Sequence, residues 1–255
     1  MHNFTKELTV AKDIANRAGK IMLQYFRVEN GEEQKGDGSP VTIADKTINR
    51  MVIEELQKHF TDTVIGEEES TGDYGSGRRW ICDPIDGTKA FVCGVPTAMF
   101  SLGWVVDGVP MLGVAYDPFL DALFEAVRGN GSYCNGKQIH VSQKRLDEGY
   151  VTVTRVRNAA CANYLTENGA RLAVFTGAVY TMCLVARGSL LGFVDEGVIA
   201  HDVAAGHIIV EEAGGKVTRF DGASLDYSKP FKAAILSNGV IHAQLVESAN
   251  SVVIA

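Results

Sequence analysis

Proline and tryptophan are sparse in this sequence, six and two among 255 residues, and no low-complexity tract interrupts it. A disordered chain is therefore not expected. The five cysteines, Cys82, Cys93, Cys134, Cys161 and Cys183, form no C-x-x-C pair, and their odd number excludes a complete set of disulfides. That usage favours a reducing, cytoplasmic setting. Long apolar runs are missing too. The longest uncharged stretch, Phe91 to Val106, is too short to span a membrane and contains Gly94, Pro96 and Gly103. The first twenty residues mix both charges and do not resemble a secretory signal. Positive charge is in deficit, with 24 Lys and Arg against 31 Asp and Glu and a net charge of −7. Without a basic face the chain is not expected to bind nucleic acid. An anionic substrate would need a local source of positive charge, and bound cations are one.

What is present suits a globular enzyme of one large domain or two modest ones: 46% hydrophobic and 22% charged residues over a length that buries a substantial core. Apolar residues at Phe4, Leu8, Ala11, Ala15, Ala18, Ile21 and Tyr25 lie on one face of a helix. A Gly-rich, charged segment from Glu29 to Pro40 reads as a loop, with Lys35 near its middle. Thr42 then starts a second helix with Ile48, Met51, Val52, Leu56 and Phe60 inward, so two helices are expected before any strand. Strand-like runs follow at Arg79–Cys82, Ala98–Val106, Met111–Tyr116 and Ala122–Val127, with Asp107-Gly108 as a turn. Beyond Ser142, strand runs at Tyr150–Thr154, Leu172–Phe175 and Leu190–Val194 alternate with helical runs at Val179–Arg187 and Asp202–Ala213. The fold class is therefore α/β, with an α+β N-terminal half, residues 1–145, and an α/β C-terminal half, residues 146–255.

Three segments carry chemistry. In Trp80-Ile-Cys-Asp-Pro-Ile-Asp-Gly-Thr-Lys-Ala-Phe91 an apolar strand ends in two acids. Pro84 biases Asp83 toward an extended backbone, so Asp83 and Asp86 can converge across a stiff turn with the Ile85 carbonyl between them. Hard oxygen ligands of this kind select magnesium-like ions. Gly87 allows close backbone approach, and the Gly87 and Thr88 amides at a helix start suit a phosphate. The same acids also fit a turn in which they only cap local amides. Val64-Ile-Gly-Glu-Glu-Glu-Ser70 again ends an apolar run with acids, or is a solvated loop. His201-Asp-Val-Ala-Ala-Gly206 puts Asp202 at a helix start, where an ordinary N-cap would look alike.

Together, G-E-E at Gly66 to Glu68, D-P-I-D-G-T at Asp83 to Thr88, and D-V-A-A-G followed by E-A-G-G between Asp202 and Gly215 resemble the inositol monophosphatase family. The resemblance covers nearly the whole chain, including Asn135-Gly136. It implies a layered αβαβα sandwich of the inositol monophosphatase and fructose-1,6-bisphosphatase type, with the site where the two halves meet. It also implies Mg²⁺-dependent hydrolysis of a small phosphorylated metabolite, with Mn²⁺ as a substitute, Li⁺ as an inhibitor, and a homodimer. By this resemblance Glu67, Asp83 and the Ile85 carbonyl hold a first metal, and Asp83, Asp86 and Asp202 a second. A third ion shares Glu67, which also counts as catalytic. Gly87 and Thr88 bind phosphate, and Thr88 paired with Asp45 orients the attacking water. Thr42-x-x-Asp45 also matches a helix capping box. Several carboxylates around a phosphate would repel it, and cations reverse that field.

The chain departs from the family pattern at His201, which replaces the usual Trp. The resemblance to inositol-specific members implies that Asp195, seven residues before Asp202, or Glu196 beside it meets a polyol hydroxyl or an amine, and both acids also fit a solvated turn before Gly197. Gly177 borders the substrate in the family, and Val179 is bulkier than expected there. Asp86 to Pro96 resembles histidinol phosphatases, whereas Met182 to Ala186 resembles inositol phosphatases. A myo-inositol monophosphate or similar polyol phosphate ranks first and histidinol phosphate second. A 3′(2′),5′-bisphosphate nucleotide and fructose 1,6-bisphosphate come behind them. The alternatives outside enzyme chemistry are a non-catalytic metal-binding scaffold and a nucleic-acid regulator.

Overall fold

A computed structural model describes residues 4–28, 33–34, 40–154 and 159–251. The expected first helix is α1 (Thr5–Tyr25), which buries Ala11, Ile14, Ala15, Ala18 and Met22. Next come two short strands, β1 (Glu33–Gln34) and β2 (Pro40–Val41), paired antiparallel, and then α2 (Ile43–His59). The expectation of two helices before any strand is thus corrected. A two-residue pair is too short to leave an alternating pattern in the sequence. The rest of the Glu29 to Pro40 loop, with Lys35, lies outside the described residues.

A seven-stranded sheet follows in strict chain order: β3 (Thr63–Gly66), β4 (Arg78–Asp86), β5 (Met99–Val106), β6 (Val109–Asp117), β7 (Ala122–Val127), β8 (Gly131–Cys134) and β9 (Lys137–Ile139). β3 and β4 are parallel and every later pair is antiparallel. α3 (Thr88–Val92) sits between β4 and β5. After a 3₁₀ turn at Leu146–Glu148 the chain builds a second sheet in the order β11 (Arg171–Leu172), β10 (Tyr150–Thr154), β12 (Gly192–Asp195), β14 (Ala234–Ser237) and β13 (Lys216–Thr218). Its helices are α4 (Ala160–Glu167), α5 (Ala178–Ala186), α6 (Ala200–Glu212) and α7 (His242–Asn250).

Three cores show how these pieces stack. α1 and α2 cover one face of the first sheet, where Trp80, Cys82, Phe100 and Leu102 meet Ile14, Ala18, Ile48 and Val52. Its other face, with Ile81, Met99 and Phe124, shares a core with α5, α6 and the near face of the second sheet through Phe193 and Leu236. The far face of the second sheet packs Val151, Val194 and Ile235 against α4 and α7. The order is αβαβα. Period-two alternation explains how β4 serves two cores at once, Trp80 pointing to one and Ile81 to the other.

α6 lies almost flat on the first sheet because glycine removes the side chains beneath it. A Cβ at Gly103 would stand 2.8 Å from that of Ala204, and one at Gly113 would stand 2.5 Å from the Ala205 carbonyl oxygen. This close seat carries the start of α6, and Asp202 with it, to the C-terminal end of β4. Two expected elements shift. β4 continues to Asp86 rather than stopping at Cys82, because the strand absorbs Pro84 as a register shift between Asp83 and Asp86. The run Leu172–Phe175 pairs only through Arg171 and Leu172, and its remainder turns toward the cavity described next.

Candidate active site

A cavity opens where the end of β4 meets the starts of α5 and α6. It is lined by Glu67, Asp83, Ile85, Asp86, Gly87, Thr88, Asp195 and Asp202, with Thr154, Val174, Phe175, Thr176 and Gly177 opposite. Oxygen atoms of Asp83, Asp86 and Asp202 all lie within 4.8 Å of one another. Three separate devices put them there.

Asp83 is buried on β4, and its Oδ1 accepts the Ile85 amide at 3.0 Å, the local capping role that the sequence left open. It also shares a hydrogen bond with Glu67, whose own amide donates to the Cys82 carbonyl at 3.1 Å. Asp86 is held from across the cavity: its Oδ1 accepts the Ala178 amide at 3.0 Å and its Oδ2 the Val179 amide at 2.8 Å. Asp202 is not the N-cap of α6. The helix begins at Ala200, and Asp202 Oδ2 accepts the Ile199 amide at 2.8 Å from the third helical position. An acid at that position can close the first turn while its other oxygen faces the cavity.

The charge state follows from this crowding. Burial, then Glu67, Asp86 and Asp202, push the Asp83 carboxyl well above the usual range. Burial and then Asp202 raise Asp86 to about 7, although the α5 amides oppose the rise. Among the described residues that line the cavity, five are carboxylic acids and only Lys89 is cationic. Left to themselves these acids would hold protons or repel any phosphate. The donor set answers the question of which group fits: clustered, buried, hard oxygen ligands match Mg²⁺ or Ca²⁺ and not a soft metal.

Asp45 sits just outside the lining residues and is fully buried. Its Oδ2 accepts the Thr42 amide at 2.8 Å and the Thr42 hydroxyl at 2.6 Å, so the capping box is formed. Its Oδ1 is 3.3 Å from the Thr88 hydroxyl, so the same acid reaches the cavity. Burial, partly offset by the bonds from Thr42, raises it to about 6. Asp195 is buried and engaged on both oxygens, by the Thr154 hydroxyl at 2.6 Å and the Gly197 amide at 2.7 Å. Glu196 and His201 are not among the lining residues. Sequence reasoning missed Thr154, Val174, Phe175 and Thr176, ordinary residue types with no motif around them. It missed the α5 amides for a different reason: a backbone N–H has no signature in a sequence.

Known proteins resemble this chain along nearly its whole length. The family model for the inositol monophosphatase family matches residues 4–253. A fructose-1,6-bisphosphatase/inositol-1-monophosphatase from Thermotoga maritima is 36% identical, with 91% of each chain covered. A histidinol-phosphatase from Chlorobaculum parvum is 34% identical over 83% of this chain and 85% of its own. A Nus factor SuhB from Haemophilus influenzae is 34% identical over 85% of this chain and 86% of its own. Among solved structures, a Thermotoga maritima IMPase superposes with a TM-score of 0.88 at 32% identity, covering 97% of this chain and 98% of that one. With the family model matched over residues 4–253 and relatives of this identity along nearly the whole chain, the chain belongs to the inositol monophosphatase family, a family of metal-dependent phosphatases.

Proposed function

We propose that this enzyme hydrolyses a small polyol phosphate, of the myo-inositol monophosphate type, with Mg²⁺ held by Glu67, Asp83, the Ile85 carbonyl, Asp86 and Asp202. The observation that carries the reading is the convergence of Asp83, Asp86 and Asp202 within 4.8 Å beside the Gly87-Thr88 step. Bound there, two or three cations would neutralise the acids, draw in phosphate oxygens, lower the pKa of water and stabilise the departing alkoxide. The chain's own residues do the rest. The Gly87 and Thr88 backbone borders the phosphate. The Thr88 hydroxyl, which points its proton at the Ile85 carbonyl or at Asp45, offers its lone pairs to the attacking water and aligns it with phosphorus. Asp45 holds that hydroxyl, and as the attacking water gives a proton to the Thr88 oxygen the Thr88 proton passes to Asp45 Oδ1.

Support for a polyol comes from the far wall, which is lined by the polar side chains of Asp195, Thr154 and Thr176. Gly177 borders the same space. A second reading, histidinol phosphate, is favoured by Val174, which is 72% exposed at the rim, and by its neighbour Phe175, half-buried and paired with Tyr180 at 6.0 Å. A flat heteroaromatic ring would lie on that apolar wall while its amine met Asp195.

The test is phosphate release from inositol 1-phosphate, histidinol phosphate, adenosine 3′,5′-bisphosphate and fructose 1,6-bisphosphate. Turnover should need Mg²⁺, accept Mn²⁺, fall with Li⁺ and stop with chelator. Asp86→Asn should lower kcat/KM by several orders of magnitude on the best substrate. Mg²⁺ binding without turnover of any of the four would replace the enzyme reading with a scaffold.

A further inference from the structure

Asp86 is unlike the other clustered acids in where its hydrogen bonds come from. Asp83 and Asp202 accept from amides of their own local turns, at Ile85 and Ile199. Asp86 accepts from residues more than ninety positions away, the first amides of α5. Ala178 and Val179 donate one bond each, and Tyr180 adds a third amide to the same carboxylate. The entry to this helix is built for close contact. Gly177 caps α5 with φ 98° and ψ 118°, a conformation that side chains rarely adopt. A Cβ on it would stand 3.0 Å from Asp86 Oδ2 and 2.9 Å from the Thr97 carbonyl oxygen. The two glycines face each other across the joint, for a Cβ on Gly87 would stand 3.3 Å from the Gly177 Cα. Thr97 and Thr176 close the rim with a hydroxyl pair at 2.7 Å. Within α5 the Thr181 hydroxyl donates to the Gly177 carbonyl at 2.8 Å.

We propose that the first turn of α5, entered through Gly177, is a positioning element that presents Asp86 to the cation. Gly177 and Ala178 then act through Asp86 rather than on the substrate. The amides occupy lone pairs of both carboxylate oxygens and fix the plane of the group, leaving its remaining lone pairs to face Asp83 and Asp202. Outer partners of metal-bound carboxylates set orientation in this way, and their loss lowers metal affinity by about 10- to 100-fold. The arrangement also ties cation binding to the joint between the end of β4 and α5, so loading the site stiffens a contact between distant parts of the chain.

This inference rests on the cation site proposed above, and the experiment separates the two. Mg²⁺ binding to the whole chain is measured by titration calorimetry, beside thermal unfolding of the cation-free protein. Ala178→Pro removes one donor to Asp86 and sets a ring carbon where that N–H met Oδ1 at 3.0 Å, so the carboxylate must turn away, although proline itself suits the first helical position. Gly177→Ala adds the Cβ that meets Asp86. Both variants should weaken Mg²⁺ binding by about 10-fold or more. Ala178→Pro should lower the cation-free unfolding midpoint by a few degrees and keep wild-type helix content, which shows that it folds. Once Mg²⁺ is raised enough to load the site, its KM should return to the wild-type value, because the substrate wall is intact. If wild type binds no Mg²⁺, the cation site itself is wrong. If wild type binds and Ala178→Pro binds equally well, or if KM stays raised at saturating Mg²⁺, the positioning role is overturned and α5 contacts substrate instead. Should Gly177→Ala fail to fold, Ala178→Pro decides alone.

Discussion

The Thr88 hydroxyl has one proton and two acceptors in reach, the Ile85 carbonyl at 3.0 Å and Asp45 Oδ1 at 3.3 Å. It can donate to only one at a time. When it points at Ile85, a proposed metal-ligand carbonyl, Asp45 loses its link to the cavity. When it points at Asp45, the hydroxyl lone pairs turn toward the space beside Gly87. The second orientation is the one that serves the proposed hydrolysis, and Asp45 is suited to sustain it because its other oxygen is locked by two bonds from Thr42. Asp45→Asn keeps an oxygen acceptor for the helix cap but cannot take a proton. It should lower kcat by about 100- to 10,000-fold while changing stability by about 1 kcal/mol or less. Steady-state kinetics and denaturant unfolding check both halves, and a fall in stability that matches the fall in rate would reduce Asp45 to a helix cap.

At the scale of elements, the glycines beneath α6 matter as much as the acids at its tip. Gly113→Ala puts a methyl group 2.5 Å from the Ala205 carbonyl oxygen and 2.6 Å from Ile208, and neither a helix backbone nor a buried isoleucine moves freely. Overpacking of this kind should cost about 1–3 kcal/mol, read from denaturant midpoints. Because Asp202 rides on the same helix, Mg²⁺ affinity should fall with it, and unchanged affinity would separate the seat of α6 from the site. The spacing of small residues that makes this seat had no visible meaning in the sequence, where Gly103 and Gly113 sat inside strand-like runs. α1 and α2 were legible because each keeps one apolar face over several turns. α4 was missed: it buries only Cys161 and Leu165, too few to mark a period. α7 was missed in the same way, with Leu245 and Ala249 as its buried apolar positions beside His242 and Ser248. β4 was read short because Pro84 and two acids look like a strand's end, whereas the strand carries them inward as a bulge. The acids of the D-P-I-D-G-T segment were legible because their chemistry lies in side chains at fixed spacing. The far wall was not, since Thr154, Thr176 and the α5 amides come together only through the fold.

For the whole molecule, the crowded acids make stability depend jointly on pH and cations. Asp45 and Asp86 are raised from an ordinary value of 3.8 to about 6 and about 7. Between their unfolded and folded values the native chain therefore holds protons that the unfolded chain has released. Stability of the cation-free protein falls as pH climbs through that window. Buried His242 works in the opposite sense: burial first, then Lys216, lowers it from 6.5 to about 4. Its ring nitrogens meet the Thr218 hydroxyl at 2.9 Å and the Ser237 hydroxyl at 2.8 Å, and because burial disfavours the charged ring it costs stability as pH falls toward 4. Absolute unfolding midpoints mix these two trends. The increment produced by Mg²⁺ at each pH does not, because His242 contributes equally with and without the ion. That increment should be small near pH 5, where the clustered acids keep their protons, and should grow steadily to about pH 8 as they release them to bind the cation. Thermal unfolding with and without Mg²⁺ across this range gives the curve. A flat increment would mean that the clustered acids titrate as ordinary surface carboxylates and that their convergence carries no electrostatic load.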